Sequence, residues 1–573
     1  MNRERLDVRL PYARHTRGNF ALVFVLVMLG CPSVIAATVD ADIRLVLQIT
    51  VDGLRADLLH RYNGGFSEGG FNDLPRRGTV YTNAHYQHAN TETIVGHATL
   101  ATGTFPSLHG LVGNVWFDRE AGELAYNIED PDSPLLPTRG DETAGDQVDP
   151  AQKRSRTHGR SPKALLAPTI GDGLAAYYGG RAKVFGVSGK DRSAVAMAGK
   201  TGKAFWFSTN TGDFVTSAYY YGSYPEWVAE WNGKRQAEGC AGKSWSLLND
   251  ASTYLLADQD DRPYEADLKG YGRVFPHPFG QADDKLFYTR ILVSPAGDRL
   301  TLDFSKALIS HEKLGQDDIP DYLSISLSGV DAVNHFFGPS SLENEDVVLQ
   351  LDRALADLFA FIDKKIGLEH TLIVLSADHG MADMPEYLSE LGYAVGRLEP
   401  DRLVAAANQV GQTFGIDEVV RFFYRPYLYL DDEEILAAKA DRVEVERAIA
   451  NALTELGGVE LAAATSRLSA MGSNPLLDQV RNNHHSSRSG NIYVIQSPYW
   501  FLFEKGPVVA MHGSPWRYDT HVPLVFAAPG VEAQQVHRLV HPVDVAPTIA
   551  ALLGMSPPAS AQGTVLREVL RLK

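Results

Sequence analysis

The sequence predicts an α/β fold in which a mainly parallel central sheet is sandwiched by helices and carries two cap insertions. Short runs of β-branched and apolar residues alternate along the chain with longer helical stretches, which is the pattern of strands joined by helical crossovers. Polar residues follow most of these runs directly, and open α/β sheets bind their ligands at the carboxyl ends of strands. With 573 residues, one large domain with sizeable insertions is expected.

The individual elements follow from the same alternation. Strands are predicted at residues 45–51, 184–187, 322–327, 371–375 and 522–527, where apolar and β-branched residues dominate. Helices are predicted at residues 94–102, 346–366 and 545–553, and the last has Pro547 in its first turn, where proline is tolerated. Residues 194–318 and 384–508 interrupt the alternation. We interpret them as the cap insertions of a domain that spans residues 37–573.

The N-terminus is predicted to be a signal peptide of residues 1–36. Five arginines precede an apolar run at residues 21–30, which ends near a small-residue pattern suited to cleavage after Ala36 or Ala37. About ten apolar residues fall short of the roughly 20 that cross a bilayer. Lipidation at Cys31 is the alternative. The mature chain is therefore expected in the periplasm or secreted, without a transmembrane segment.

Composition excludes some classes of partner. The formal net charge is −17, and removal of the basic leader makes the mature chain more negative still. Such a surface repels polyanions, so no nucleic acid polymer is expected as a partner or substrate. Cys240 is the single cysteine after cleavage, so no internal disulfide can form and we expect an inert thiol. A monomer is expected.

Acidic and histidine residues cluster at the predicted strand ends. Asp331 and His335 are four residues apart, which places both on one face of a helix. Mixed oxygen and nitrogen ligands suit zinc. Singly, each residue has a structural alternative, such as a turn cap or a core histidine. Jointly they predict two zinc sites from six residues: Asp52, Asp331, His335, Asp378, His379 and His512.

Thr93 precedes a predicted helix and has two interpretations. It occupies the position where a helix N-cap belongs, and threonine is a favoured capping residue. A hydroxyl at a helix N-terminus near a divalent cation also loses its proton more easily, which makes it a candidate nucleophile. The two interpretations are compatible.

Several stretches together carry a resemblance to a known family. The sequence resembles the alkaline phosphatase superfamily, and within it the threonine-nucleophile, phosphate-irrepressible alkaline phosphatases of bacterial periplasms, over nearly the whole mature chain. Thr93 stands four residues before His97, as in those enzymes. The other matching stretches are residues 51–55, 96–98, 110–114, 188–192, 216–220, 377–380, 512–515, 518–521 and 543–548.

The resemblance implies a role for each site residue. Two Zn²⁺ per chain are implied, one held by Asp52, Asp378 and His379 with Thr93, and the other by Asp331, His335 and His512. His521 competes with His512 for the last place, and we prefer His512. Thr93 would accept the phosphoryl group of a small phosphate monoester. Water would then hydrolyse the phosphothreonine. Asn114, Lys190 and Arg192 would bind the non-bridging phosphate oxygens, as both catalytic and substrate-binding residues.

Two other functions remain open. The related nucleotide pyrophosphatase/phosphodiesterases share the metal ligands and the threonine, but they lack the Lys-x-Arg of Lys190 and Arg192, so a type I phosphodiesterase is the alternative enzyme. An inactive exported protein that binds zinc or another ligand is the alternative of another class. The aromatic residues 219–221, with Trp227 and Trp231, are interpreted as packing beneath the cap, with stacking on a ligand as the alternative.

Overall fold

The computed structural model describes residues 42–139, 149, 151–503 and 506–570. The predicted signal peptide and the lipidation alternative at Cys31 lie outside these residues. Within the described part of the chain, none of the helices has the length and apolar character needed to cross a membrane.

The strands are numbered in chain order. They are β1 (Leu45–Val51), β2 (Gly78–His85), β3 (Val115–Asp118), β4 (Glu123–Tyr126), β5 (Val184–Ser188), β6 (Lys203–Phe207), β7 (Phe214–Val215), β8 (Ser244–Trp245), β9 (His277–Pro278), β10 (Asp321–Leu327), β11 (Thr371–Ser376), β12 (Arg397–Leu398), β13 (Val420–Tyr424), β14 (Tyr427–Leu430), β15 (Val459–Ala464), β16 (Ile492–Gln496), β17 (Phe501–Leu502), β18 (His521–Ala527) and β19 (Gln534–Val536).

The helices are numbered in the same way. They are α1 (Ala56–Arg61), α2 (Leu74–Arg77), α3 (Thr93–Thr102), α4 (Pro106–His109), α5 (Ile170–Tyr177), α6 (Asp191–Ala198), α7 (Glu226–Gly233), α8 (Phe287–Leu292), α9 (Pro295–Glu312), α10 (Gly329–Phe337), α11 (Leu342–Lys365), α12 (Pro385–Glu390), α13 (Pro400–Gln412), α14 (Asp432–Ala437), α15 (Arg442–Thr454), α16 (Pro475–Asn483), α17 (Arg517–Thr520) and α18 (Val545–Leu552).

The central sheet has nine strands in the order β19-β2-β18-β11-β1-β10-β5-β6-β7 among the described residues. Strands β11, β1, β10, β5 and β6 run parallel to one another. The predicted α/β class and mainly parallel sheet are confirmed. All five predicted strands belong to this sheet, but β18 pairs antiparallel with both β11 and β2, so the sheet is mixed.

The middle strands are buried on both faces. Every residue of β1, β10 and β11 is buried, which explains why β1 and β11 are mostly apolar, whereas β10 also buries the serines Ser324 and Ser326. Helices α3, α5, α6 and α18 pack together as one group, while α9, α10 and α11 pack together as another. The core that results holds the ends of the parallel strands in fixed positions.

The first predicted insertion is partly central sheet. Strands β6 and β7 lie inside residues 194–318, yet they complete the edge of the central sheet, and α9 packs against α11 and β10. The aromatic sequence of β6 is almost wholly buried, which is why this strand belongs to the core. Trp227 and Trp231 pack against Phe304, which supports the packing interpretation of these aromatic residues.

The second predicted insertion contains a separate small sheet. This sheet has four strands in the order β13-β14-β16-β15, and each neighbouring pair is antiparallel. Helices α13 and α15 pack on this sheet around their own apolar cluster. The β13–β14 turn therefore sits on a rigid support, and this turn contributes a side chain to the site described next.

Candidate active site

Four polar side chains meet where parallel strands end. Asp52 directly follows β1, and Asp378 follows β11 by two residues. Lys190 follows β5 by two residues, and Asp331 lies in the first turn of α10, just after β10. Because these strands are neighbours and run parallel, their carboxyl ends deliver these residues to one edge of the sheet, as the sequence predicted.

Three carboxylates and three imidazoles assemble there into two groups. In one group, ligand atoms of Asp52, Asp378 and His379 lie within 4.8 Å of one another, and the same holds for Asp331, His379 and His512. His335 Nε2 lies 3.3 Å from Asp331 Oδ2, so His335 joins the second group. The structure thus brings together all six predicted ligands. It also places His379 between the groups, with its ring stacked on that of His512 at 3.5 Å.

His521, the competing candidate, lies elsewhere. Its Nε2 contacts the carbonyl oxygen of Thr82 at 3.0 Å, and its ring stacks on that of His85. His512 instead has its Nδ1 against the carbonyl oxygen of Thr91, which turns Nε2 toward Asp331. The preference for His512 agrees with this placement.

The buried oxygens of these groups fit cations. Asp52 Oδ1, Asp331 Oδ1 and Asp378 Oδ2 are buried and have no hydrogen-bond partner. Lys190 donates from Nζ to Asp52 Oδ2 at 2.8 Å and also to Asp331 Oδ2, so a single ammonium bridges the two groups. Buried carboxylates require a compensating charge, and one ammonium cannot supply it for three. Mixed carboxylate and imidazole donors are ligands that zinc accepts.

The pKa values reflect this crowding of negative charge. Burial and the Asp331 carboxylate oppose ionisation of Asp52, but Lys190 and His379 outweigh them and hold its pKa below the usual range. Burial and Asp52 raise the pKa of Asp378. Burial opposes protonation of His379, yet Asp378 and Asp52 raise its pKa to about 9. The edge of the sheet is therefore a site that attracts positive charge.

Thr93 is the first residue of α3 and does not cap it. The N-cap residue is Glu92, and no side chain caps this helix end, so the capping interpretation of Thr93 is wrong. Its hydroxyl oxygen lies 3.5 Å from His379 Nε2. The side chain is fully buried. The hydroxyl lies beside His379, which belongs to both ligand groups, and at the positive end of a helix, an environment suited to an activated nucleophile.

Asn114 contacts the backbone beside Thr93, and Arg192 lines a cavity together with Lys190. Asn114 Oδ1 accepts the backbone N–H of Ile94, the residue after Thr93, at 3.1 Å. Arg192 donates from Nη1 to Asp149 Oδ2 at 2.5 Å, while its buried Nε has no partner. A cavity of about 380 Å³ is lined by Lys190 and Arg192 among others. Two of the predicted phosphate-binding residues therefore face open space.

His97 contacts both Thr93 and Asp378, and it was predicted only as part of a motif. Its Nδ1 lies 2.8 Å from the carbonyl oxygen of Thr93 and 3.1 Å from Asp378 Oδ2. Its Nε2 lies 2.8 Å from Ser326 Oγ. The spacing of four residues between Thr93 and His97 is the signal in the sequence, because it places both on one face of α3.

Glu92 and Arg425 form a second supporting pair that sequence reasoning missed. Glu92 Oε2 accepts the backbone N–H of Asn114 at 2.5 Å, and its Oε1 pairs with Arg425 at 3.0 Å. Arg425 also donates from Nη1 to the carbonyl oxygen of His512 at 2.8 Å. Arg425 comes from the β13–β14 turn. The second insertion therefore contacts Glu92, which directly precedes Thr93, and the backbone of His512, a predicted metal ligand.

Replacing Arg425 with alanine is expected to lower kcat/KM for phosphate esters by about ten- to a hundredfold, the usual effect of losing a partner behind a metal ligand. The change leaves Glu92 Oε1 and the His512 carbonyl oxygen without this donor. Steady-state kinetics measure kcat/KM, and zinc titration measures the zinc affinity. Arg425→Lys should recover part of the loss in each of these two quantities. Arg421→Ala is the matched control, since Arg421 lies on the same hairpin in an exposed pair with Asp431. Equal effects of the two alanine variants would contradict the bracing role.

Comparison with known proteins finds similar sequences over most of the chain. The profile of the type I phosphodiesterase/nucleotide pyrophosphatase family matches residues 46–515. The chain is 32% identical over 535 residues to alkaline phosphatase PafA of Elizabethkingia meningoseptica, covering 92% of this chain and 94% of the relative. It is 32% identical over 552 residues to alkaline phosphatase PhoV of Synechococcus elongatus, covering 94% and 95%. A relative from Myroides odoratus named calcium-transporting ATPase is 32% identical over 534 residues, covering 92% and 94%.

A solved structure extends the similarity to the fold. The crystal structure of wild-type alkaline phosphatase PafA superposes with a TM-score of 0.84 at 31% sequence identity, and the match covers 92% of this chain and 99% of that chain. Coverage of this extent includes the inserted segments as well as the central sheet.

Proposed function

Because the chain belongs to the type I phosphodiesterase/nucleotide pyrophosphatase family, and to the alkaline phosphatases within it, we propose that it hydrolyses small phosphate monoesters through a phosphothreonine at Thr93. It is an enzyme, a phosphoric monoester hydrolase of the alkaline phosphatase type. The observation that carries the proposed route is the Thr93 hydroxyl, which lies at the start of α3 and 3.5 Å from His379 Nε2, beside both ligand groups.

Two zinc ions are proposed as the cofactor. Asp52, Asp378, His379 and Thr93 would hold one, and Asp331, His335 and His512 the other. The three buried carboxylate oxygens without hydrogen-bond partners support a cationic occupant on each side. When bound, the two ions would supply Lewis-acid charge for the attacking and leaving oxygens of an in-line displacement.

The residues of the chain then carry out two transfers. Thr93 loses its proton, its Oγ forms a bond to phosphorus, and the bond to the ester oxygen breaks, so the alcohol leaves after taking up a proton. Water next forms a bond to phosphorus and loses a proton, and the bond to Thr93 Oγ breaks, which releases inorganic phosphate and restores the hydroxyl. The N-terminus of α3 favours the negative charge that develops at Oγ.

Lys190 and Arg192 support a monoester over a diester. A monoester is a dianion, and positive donors aimed at its oxygens stabilise the transition state. Both side chains are almost fully buried at the cavity, so their charges are little screened by water. Lys190, which bridges Asp52 and Asp331, would turn its ammonium to the phosphoryl group, and Asn114 would donate from its amide.

Export is part of the proposal. Residues 1–36 would be removed as a signal peptide, leaving a monomeric periplasmic or secreted enzyme, with lipidation at Cys31 as the alternative. Intact-mass spectrometry of the protein isolated from the producing cell measures this directly. A mass that matches a chain beginning at residue 37 or 38 is expected. A mass that matches a chain beginning at a diacylated Cys31 would instead favour the lipidation alternative.

Metal content and substrate preference test the proposed function together. The purified mature protein is expected to contain two zinc ions per chain by mass spectrometry of the metals. It should hydrolyse p-nitrophenyl phosphate at least about a hundredfold faster in kcat/KM than bis(p-nitrophenyl) phosphate, an effect of the size that one or two charged donors supply. Chelation should abolish turnover, and added Zn²⁺ should restore it. Faster turnover of the diester would favour the phosphodiesterase, and zinc binding without turnover of either ester would favour the inactive binding protein.

A further inference from the structure

The cavity beside the site opens on one side of it. Its lining includes Asp331 and His335 of the second ligand group, together with Lys190 and Arg192. Among the described residues that line it, none is Thr93 or belongs to the Asp52–Asp378–His379 group. The space of about 380 Å³ therefore borders the second ligand group, Lys190 and Arg192, and not Thr93.

In-line displacement fixes what enters this space. The attacking and leaving oxygens stand on opposite sides of phosphorus. If Thr93 attacks from one side, the ester oxygen and the group attached to it depart toward Asp331 and His335. The cavity that begins at these two residues is therefore where the alcohol part of the substrate lies.

Apolar side chains form part of the cavity lining and include neighbours of Asp331 and His335 on the same helix. Phe336 and Ala332 come from the same helix, α10, and the other apolar lining residues include Trp206, Leu292, Val293 and Val508. Leu292 also packs against Gly189, the residue before Lys190, since a Cβ placed on Gly189 would lie 2.8 Å from Leu292 Cδ1. Most of the remaining lining residues are polar or charged, and they include Asp149, Gln152, Lys153, Ser155, His158, Arg160 and Asp191.

The geometry points to a leaving-group subsite that selects phosphate monoesters of alcohols with an aromatic or bulky apolar group. The inference rests on the proposed function, because it assigns the cavity relative to the attack by Thr93. A phosphate ester of a small alcohol fills only the mouth of this space and leaves the apolar wall in contact with water. An aryl group reaches Leu292 and Phe336 and buries apolar area against them, which lowers the free energy of the bound state and of the transition state.

Two esters of matched reactivity test the subsite. Propyl phosphate and 3-phenylpropyl phosphate release alcohols of nearly the same pKa. The intrinsic rates at which their ester bonds are cleaved are therefore alike. The wild-type enzyme is expected to favour the phenylpropyl ester by at least about tenfold in kcat/KM, the lower end of what burial of a phenyl group supplies. Equal kcat/KM values for the two esters would overturn the inference and leave the monoesterase intact. Hydrolysis of neither ester, with turnover of bis(p-nitrophenyl) phosphate, would overturn the proposed function and the inference with it.

Variants of Leu292 locate the selectivity. Leu292→Asn makes the wall polar at similar volume and should lower the preference to less than about threefold. Leu292→Trp fills the cavity and should lower kcat/KM for the phenylpropyl ester at least about tenfold more than for the propyl ester. The competitive inhibition constant of inorganic phosphate should stay within about twofold in both, because phosphate does not reach this wall. Leu255→Asn, at an exposed leucine outside the cavity, is the control. A preference unchanged by both Leu292 variants would place the selectivity elsewhere and overturn the assignment.

Discussion

Replacing Thr93 with alanine is expected to lower kcat for phosphate monoesters by at least about a thousandfold, because the attacking oxygen is removed from a site whose other groups act through it. The side-chain contact of Thr93 among the described residues is with His379, at 3.5 Å, and Glu92 holds the N-cap position. The variant should therefore fold with a melting temperature near that of the wild type and still bind zinc. Steady-state kinetics, metal quantification and thermal melting measure the three quantities.

Two further threonine variants make this result specific. Thr93→Ser keeps a hydroxyl at the same position and should retain much more activity than the alanine variant. Thr102→Ala, at the other end of α3, removes a hydroxyl that donates to the carbonyl oxygen of Ala98 and accepts the backbone N–H of Thr104, both contacts at the end of the helix away from Thr93, and should leave kcat unchanged. Trapping with substrate labelled at phosphorus, followed by acid quench, should label the wild-type and serine enzymes but not Thr93→Ala. Turnover in the alanine variant comparable to that of the wild type would remove Thr93 from the mechanism.

Much of the site could be predicted because strand ends collect at one edge of a parallel sheet. Asp52 and Asp378 follow buried apolar runs directly, so the periodicity that predicts β1 and β11 also locates these side chains. Asp331 and His335 share a helix face because they stand four residues apart. For these residues, local sequence pattern and position in the fold carry the same information.

The rest depends on how distant segments pack. Arg425 reaches the site from a hairpin of the second insertion, and nothing in its local sequence indicates that it will contact the His512 carbonyl oxygen. The antiparallel direction of β18 follows from pairing with β2, which only the folded sheet specifies. Strand β6 lies in residues 194–318, which interrupt the alternation of strand and helix patterns and are rich in Tyr, Trp, Gly and Asp, so the local sequence does not show that β6 belongs to the central sheet.

Replacing Arg192 with alanine is expected to lower kcat/KM for p-nitrophenyl phosphate by about a hundred- to a thousandfold, and for bis(p-nitrophenyl) phosphate by less than about tenfold. A monoester dianion presents one more charge to the guanidinium than a diester monoanion does, so the monoester transition state loses more. Arg192 is buried and borders the cavity, where its charge is poorly screened. Arg156→Ala is the control, since Arg156 is partly exposed and paired with Glu129.

The ratio of the two losses separates charge recognition from a structural role. Arg192 also donates to Asp149, so its removal could act by releasing that residue's loop instead of by removing a charge at the phosphoryl group. A released loop would impair both esters to the same extent, because both occupy the same cavity. Asp149→Asn weakens the ion pair but keeps the guanidinium, and should change the ratio of monoester to diester turnover by less than about threefold. Equal losses for the two esters in Arg192→Ala, reproduced by Asp149→Asn, would assign Arg192 to loop positioning and leave discrimination against diesters to Lys190.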